Sequence, residues 1–149
     1  MITAIRFVAD THTVIWYFAR FFGQRNLNSE GVNQVFHQVL NNALTNFRLV
    51  IPSVVFLEIF DKFCRTENDA ARIYYECFVP LEACPNVEIR ELDKEVIEML
   101  INLGDVLTSH EVNDKIVVAT SAVLECVLLT RDPVIQEFSR NTALIEARW

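Results

Sequence analysis

Glycine and proline are scarce in this chain. With only 3 glycines and 4 prolines in 149 residues, it has few of the residues that build frequent tight turns. A turn-rich all-β fold is therefore disfavoured and long regular elements are expected. The sequence also lacks an uninterrupted apolar run of about 18 residues, so no transmembrane helix is predicted. Its start shows no basic region followed by an apolar core and a small-residue cleavage site, which makes a cytoplasmic location the expectation.

The cysteines are few and widely spaced. Cys64, Cys77, Cys84 and Cys126 form no C-x-x-C pair. A zinc site or a disulfide framework needs closer grouping. The four are therefore predicted to be reduced residues of the core or of helix surfaces.

Positive charge is in deficit, because the formal net charge is −7. A nucleic-acid-binding protein usually carries a basic excess. Three explanations stay open. The chain does not bind nucleic acid, a bound metal ion neutralises the local negative charge, or a basic partner covers an acidic face.

Apolar residues make up 52% of the sequence, which argues against disorder. The length predicts one domain over residues 1–149. A chain of this size buries roughly two-thirds of its unfolded surface, enough for one core without disulfides or metal.

Short β-rich runs alternate with longer helical patterns. The predicted strands are 4–9, 47–51, 87–89, 127–130 and 143–146. The predicted helices are 13–22, 32–45, 53–63 with Ser53 as a candidate cap, 70–78, 93–103 between Asp93 and Gly104, 114–125, and a short helix opened by Asp132-Pro133. This alternation predicts parallel strand pairing through helical crossovers, and hence an α/β three-layer fold.

Two acidic residues follow predicted strands. Asp10 comes directly after the first strand, and Asp132 comes two residues after the end of VLLT. Sites in open parallel sheets lie beyond the carboxyl ends of the strands, so both acids are expected at that edge. Each alone is also explained as a helix N-cap.

Two further acids lie on predicted helices. Glu58 sits in PSVVFLEIFDKF, where burial of a carboxylate costs several kcal/mol unless a metal ion or a basic residue pairs with it. The alternative is a solvated gap in the helix face. Asp114 opens the helix DKIVVATSAVLEC, where the helix dipole by itself favours an acid. Glu111, three residues earlier, either points the same way or is an exposed loop acid.

The four acids together are more informative than any one of them. If they converge on one pocket, their oxygen ligands favour hard ions such as Mg²⁺ or Mn²⁺. Such ions lower the pKa of bound water and clamp a phosphate during in-line displacement. This chemistry requires position and charge from the protein rather than a covalent nucleophile.

Four segments in this order resemble a known family. FVADTHTVIWYF resembles the opening of PIN-domain proteins, in particular VapC-type toxins of bacterial toxin–antitoxin pairs. IPSVVFLEI, SHEVNDKIVVATSAV and VLLTRDPVI resemble the second, third and fourth motifs of that family, and LIEARW is similar to its last strand. The resemblance covers essentially the whole chain.

The resemblance implies a PIN-like, Rossmann-like parallel sheet flanked by helices and a Mg²⁺- or Mn²⁺-dependent endoribonuclease that an antitoxin neutralises. It implies the following site acids: Asp10, Glu58, Asp114 and Asp132. Glu111 falls where many relatives have an additional acid. Thr130 matches a hydroxyl residue near the fourth acid, where it could orient Asp132 or a water molecule, or simply end a strand.

Several charged residues adjoin these acids. Lys115 and Arg131 could hold a scissile phosphate or form ordinary surface ion pairs. His12 and His110 flank motif acids, and a general-base histidine is conceivable. Structural or peripheral roles are nevertheless expected for both, because metal-bound water needs no such base.

Aromatic residues are concentrated early in the chain. Those of the predicted helix 13–22 are Trp16, Tyr17, Phe18, Phe21 and Phe22. Core packing explains part of this set, and aromatic enrichment also marks interfaces, so a homodimer or an antitoxin groove is an open expectation. Phe56, Phe60 and Phe63 are expected in the core. The segment 65–87 is long for a compact toxin, and its surface could serve a different partner.

Two other functions compete with a nuclease. A phospho-signalling receiver domain also gathers acids around Mg²⁺, but Asp10 has no acidic neighbour and Arg131 stands where a lysine would be needed. A catalytically silent PIN-like module that binds RNA or protein is the stronger alternative. Retention of all four acids counts against it without excluding it.

Overall fold

The computed structural model describes residues 3–104 and 106–149. Its strands are β1 (Ile5–Ala9), β2 (Phe47–Pro52), β3 (Val87–Arg90), β4 (Val127–Leu129) and β5 (Glu146–Arg148). They form one sheet in the order β3-β2-β1-β4-β5, and every neighbouring pair is parallel. Across the described ranges, no helix has both the length and the apolarity that crossing a membrane requires.

Helices fill the connections between the strands. They are α1 (Thr11–Tyr17), α2 (Ala19–Phe22), α3 (Glu30–Asn41), α4 (Ser53–Phe63), α5 (Glu67–Ile73), a π-helical turn (Tyr74–Phe78), α6 (Val79–Ala83), α7 (Lys94–Leu103), α8 (Val112–Leu124) and α9 (Pro133–Asn141). The predicted α/β fold with a central parallel sheet flanked by helices is confirmed.

The strand order locates a crevice. The chain moves from β1 through β2 to β3 in one direction, and later continues through β4 to β5 in the other direction. Because parallel crossovers are almost always right-handed, the two sets of helices cover opposite faces of the sheet. The order reverses between β1 and β4, and open sheets bind ligands at the carboxyl ends of the strands at this point.

The central strands supply the core. Val8 of β1 pairs with Val50 of β2 on one side and with Leu128 of β4 on the other. All three side chains are fully buried, as expected for a parallel sheet that is covered on both faces. This buried centre holds the ends of β1 and β4 in fixed positions.

The predicted helix 13–22 is two helices in the structure. It starts earlier, at Thr11, because Asp10 caps it, and it breaks at Phe18, whose backbone (φ −94°, ψ 27°) leaves the α region. The aromatic residues of this segment are half-buried or buried. Tyr17 stacks on Phe36 at 4.9 Å, so much of the aromatic surface that suggested an interface is used in packing.

Other boundaries also differ from prediction. Ser53 is the first residue of α4 and not its cap, since Pro52 occupies the N-cap position without a side-chain hydrogen bond. Helix α3 ends at Asn41 and not at 45, because the backbone of Asn42 is extended. Phe60 is half exposed on α4 and does not belong to the core.

The last strand is Glu146–Arg148 and not 143–146. Its position follows from pairing, because Glu146 is in register with Val127 and Arg148 with Leu129. The amide of Thr130 also donates to the carbonyl of Arg148 over 3.0 Å.

Helix α5 begins with a capping box. The Thr66 hydroxyl accepts from the Asp69 amide, and the Asp69 carboxylate accepts from the Thr66 amide at 3.0 Å. The helix therefore starts at Glu67, three residues before the predicted start, and passes into the π-helical turn.

Thr66→Ala is expected to lower the free energy of unfolding by about 1 kcal/mol, the usual effect of losing a threonine cap. Urea unfolding measures it, and Thr66→Ser, which keeps a capping oxygen, is the control and should remain close to wild type. An equal loss in both variants would contradict the capping role.

Acid should weaken the same cap. Amide hydrogen bonds, first from Arg65 and then from Thr66, lower the pKa of Asp69. A depressed folded pKa contributes stability above the unfolded value of about 3.9 and loses it as the pH falls through the folded pKa. In Asp69→Asn, the free energy of unfolding should therefore depend less on pH below about 4.

Candidate functional site

Three of the predicted acids line one cleft at the switch point of the sheet. The cleft has a volume of about 320 Å³. Its lining residues are Asp10, His12, Trp16, Asp114, Val117, Arg131, Asp132, Pro133 and Ile135. Residues separated by more than a hundred positions along the chain thus meet at the ends of β1 and β4.

Asp10 sits between β1 and α1. Its Oδ1 accepts from the Thr13 amide at 2.9 Å, so it caps α1. Burial raises the pKa of Asp10, while hydrogen bonds from the Thr130 side chain and from Thr13 act in the opposite direction. The carboxylate is thus held in one orientation in a setting that disfavours its negative charge.

Thr130 connects two of the acids. Its side chain is fully buried, and its Oγ1 accepts from the Asp132 amide at 3.1 Å. Its hydroxyl also lowers the pKa of Asp10 through a side-chain hydrogen bond. Thr130 directly follows β4 and contacts the backbone of the fourth acid, and its role in orienting Asp132 stays a prediction.

Glu58 is partnered on α4. The Thr11 hydroxyl donates to its Oε2 at 2.6 Å, and Lys62 Nζ lies 3.8 Å from its Oε1. The side chain is 15% exposed, so it is not the solvated gap that sequence allowed. Glu58 does not line the cleft, but its charge raises the pKa of Asp114.

Asp114 lies in the first turn of α8, which begins at Val112, two residues before the predicted start. Burial raises its pKa most, followed by the charge of Glu58; Asp132 and Glu111 add smaller contributions in the same direction, and His110 opposes them. Within residues 3–104 and 106–149, no lysine, arginine or histidine nitrogen lies within 4.0 Å of its carboxylate. Negative charge is therefore concentrated here without a direct counter-charge.

Asp132 caps α9, as predicted. Its Oδ1 accepts from the amides of Val134 and Ile135, at 2.9 and 3.1 Å. The His110 ring lies 2.7 Å from its Oδ2 through Nε2. Burial would raise the pKa of Asp132, but the amide and imidazole hydrogen bonds outweigh it and lower the pKa.

His110 contacts Asp132, a contact that the sequence did not predict. Its side chain is only 8% exposed, and because a carboxylate only accepts, its Nε2 carries the donated hydrogen. The one available signal was the position of His110 beside Glu111 in the third motif.

Arg131 lines the cleft, whereas Lys115 is not among the lining residues. Glu111 is an exposed N-cap of α8 that makes no side-chain capping bond.

The donor set fits a hard divalent cation in chemistry and charge. It consists of carboxylate oxygens and a hydroxyl, the ligands that Mg²⁺ and Mn²⁺ prefer, and a cation would relieve the raised pKa of both Asp10 and Asp114. In the described part of the chain, however, no three histidine, cysteine, aspartate or glutamate side chains converge closely enough to hold one ion as they stand. Joint ligation requires these side chains to move closer together.

Comparison with solved structures supports the fold. No protein-family model matches the sequence, and no curated protein matches it. A chain of VapBC2 from Rickettsia felis, in a structure bound to a DNA fragment from the promoter, superposes with a TM-score of 0.64 at 10% identity. The superposition covers 97% of this chain and 98% of the VapBC2 chain.

Two further solved structures are similar. A chain of VapBC-1 from nontypeable Haemophilus influenzae has a TM-score of 0.63 at 16% identity, with 97% of each chain covered. A chain of FitAcB from Neisseria gonorrhoeae has a TM-score of 0.62 at 12% identity, with 95% of each covered. At this level of identity the likeness is one of fold, and the chain has the PIN-like α/β fold that its four ordered motifs predicted.

Proposed function

We propose that this chain is a divalent-metal-dependent endoribonuclease of the toxin type, acting as a single PIN domain over residues 1–149. The observation that carries the proposal is the crowding of negative charge around Asp114, at the switch point of a parallel sheet. Burial and the neighbouring carboxylates raise the pKa of Asp114, and an acid perturbed in this way inside a cleft is a mark of a functional site. The metal-holding residues of the proposal are Asp10, Glu58, Asp114 and Asp132, with Glu111 secondary.

Mg²⁺ or Mn²⁺, when bound by such carboxylates, activates water and neutralises the charge of a phosphodiester. The chain's own residues prepare the position of that chemistry. The Thr13 amide holds Asp10, the Ile135 amide and His110 hold Asp132, and Thr11 holds Glu58. These contacts restrict the three carboxylates, so fewer side-chain conformations have to be ordered when an ion draws them together.

Arg131 is the cation placed to meet the substrate. It lines the cleft beside Asp132, and its side chain makes no ion pair within the described ranges. A guanidinium suits bidentate contact with phosphate. Lys115, which does not line the cleft, is the weaker candidate for this role.

An antitoxin partner belongs to the proposal. The similar structures include one described as a toxin–antitoxin complex from Klebsiella pneumoniae, with a TM-score of 0.55 at 15% identity. A partner that inserts a basic side chain among the acids would neutralise them and block the cleft. A homodimer remains an expectation of the sequence.

One observation favours the silent PIN-like module as the second candidate. Among the described residues, no three acids lie close enough together to hold one ion. A protein that binds RNA or protein through this cleft without cutting would need no such convergence.

The test is cleavage of a mixed RNA pool by purified, partner-free protein with Mg²⁺, with Mn²⁺ and with EDTA. Cleavage is expected with either metal and not with EDTA. Circular dichroism verifies the fold in each buffer. A folded protein that binds RNA but cuts it with neither metal would replace the nuclease with the silent module.

A further inference from the structure

The rim of the acid cleft is aromatic and cationic. Trp16 of α1 lines the cleft with Asp10 and Asp114. Trp149 follows β5, and its ring centroid lies 5.8 Å from that of Trp16. The Arg131 guanidinium lies 5.9 Å from the Trp16 ring and 6.0 Å from the Trp149 ring. We call these three residues the tryptophan rim.

The strand order creates this rim. Strand β5 pairs with β4, and β4 pairs with β1. The residues that follow the three strands therefore share one edge of the sheet. For this reason Trp149 lies beside the acids that follow β1 and β4, although it is far from Asp10 in sequence.

The two indoles remain available to a ligand. Both are only partly buried, and their planes meet at 76°, so neither ring is stacked in parallel on the other. The His12 ring lies 5.3 Å from Trp16 at a tilt of 41° and is exposed. A flat group that enters the cleft thus meets aromatic rings at its edge.

The rim also carries positive charge beside a negative cleft. Arg131 is exposed, and at about 6 Å from two rings it is at the outer limit of a cation–π contact. Lys62, which also pairs with Glu58, has its Nζ 3.5 Å from His12 Nε2. In a chain of net charge −7, this places cations where a phosphate chain would approach the acids.

We propose that the tryptophan rim is a subsite for an unpaired nucleotide, in which Trp16 stacks on the base and Arg131 binds the adjoining phosphate. Proteins that bind single strands combine aromatic platforms with cations in this way. A base inside a duplex has no free face to stack on, so the subsite selects single-stranded RNA. This inference rests on the proposed function, whose substrate class it specifies.

Intrinsic fluorescence tests the subsite directly, because the chain has 2 tryptophans and both belong to the rim. The Asp114→Asn background, with Mg²⁺, is titrated with a short unstructured RNA and with the same strand annealed to its complement. Quenching by the single strand and much weaker quenching by the duplex are expected. Equal responses to the two would overturn the subsite.

Variants separate stacking from charge. Trp16→Leu should weaken single-strand binding about 5- to 150-fold, the range of one stacked base, and Trp16→Phe should retain most of it. Arg131→Gln should reduce the salt dependence of log Kd by about 0.7, the value for one phosphate contact on a single strand. Tyr75→Leu, an exposed aromatic on the π-helical turn, is the matched control and should bind as the background does.

The outcomes distinguish this subsite from the nuclease itself. In active protein, Trp16→Leu should raise KM with kcat within a few-fold, as expected for lost ground-state binding. If wild type cuts RNA with metal while Trp16→Leu and Arg131→Gln bind the single strand normally, only the subsite is wrong. If wild type neither binds nor cuts RNA, the proposed function fails and the subsite fails with it. Arg131→Gln changes an exposed side chain, so it decides the question even if Trp16→Leu does not fold.

Discussion

Asp114→Asn is expected to reduce metal-dependent RNA cleavage by at least about 100-fold. Loss of a residue that merely orients a metal ligand already costs about 10- to 100-fold, and Asp114 is proposed as a ligand itself. The charges of Glu58 and Asp132 both raise its pKa. Cleavage of a labelled RNA under single-turnover conditions measures the loss.

The same substitution should stabilise the metal-free protein. Burial and the neighbouring acids raise the pKa of Asp114 in the folded state. A carboxyl with a raised folded pKa contributes stability at low pH, and this contribution is lost as the pH rises from about 4 through the folded pKa. Asparagine has no charge to bury, so the Tm at pH 7 should increase and its fall over this pH range should become smaller.

Metal binding links the two effects. A ligand that binds only the folded state stabilises it by RT ln(1 + [L]/Kd). Mn²⁺ should therefore raise the Tm of wild type and leave that of Asp114→Asn nearly unchanged. Glu82→Gln is the matched control, because Glu82 is an exposed acid on α6 that does not line the cleft and forms no ion pair in the described residues. Loss of activity in Glu82→Gln equal to that in Asp114→Asn would show that the effect comes from net charge and not from the proposed site.

Phe36→Ala is expected to lower the free energy of unfolding by about 3–5 kcal/mol, the usual range for a large cavity in a core. Phe36 is fully buried on α3 and stacks on Tyr17 with ring planes 20° apart. The cavity would therefore also loosen α1, the helix that Asp10 caps. Denaturant unfolding monitored by circular dichroism measures the change.

The control for this cavity is Leu44→Ala. Leu44 is 94% exposed just after α3, and a surface substitution of this kind usually changes stability by less than about 0.5 kcal/mol. A loss in Phe36→Ala no larger than in Leu44→Ala would show that the packing of α3 on α1 contributes little. Total stabilities of about 5–15 kcal/mol make the expected loss a large fraction of the whole.

Features that depend on neighbours in sequence were predictable. Asp93 and Gly104 mark the ends of α7, and Asp132-Pro133 opens α9, because a cap bonds to amides within three residues. The alternation of strands and helices predicted the parallel sheet, since parallel strands need long crossover connections, which are usually helices. From that sheet follows the edge at which Asp10 and Asp132 lie.

Features that depend on strand order needed the tertiary structure. The contact of His110 with Asp132 joins residues 22 positions apart. The place of Trp149 beside Trp16 exists only because β5 pairs with β4 and β4 with β1. Composition and spacing thus determined the fold class and the candidate acids of this protein. The tertiary structure alone decided which side chains surround those acids, because such contacts arise from the order of strands that are distant in sequence.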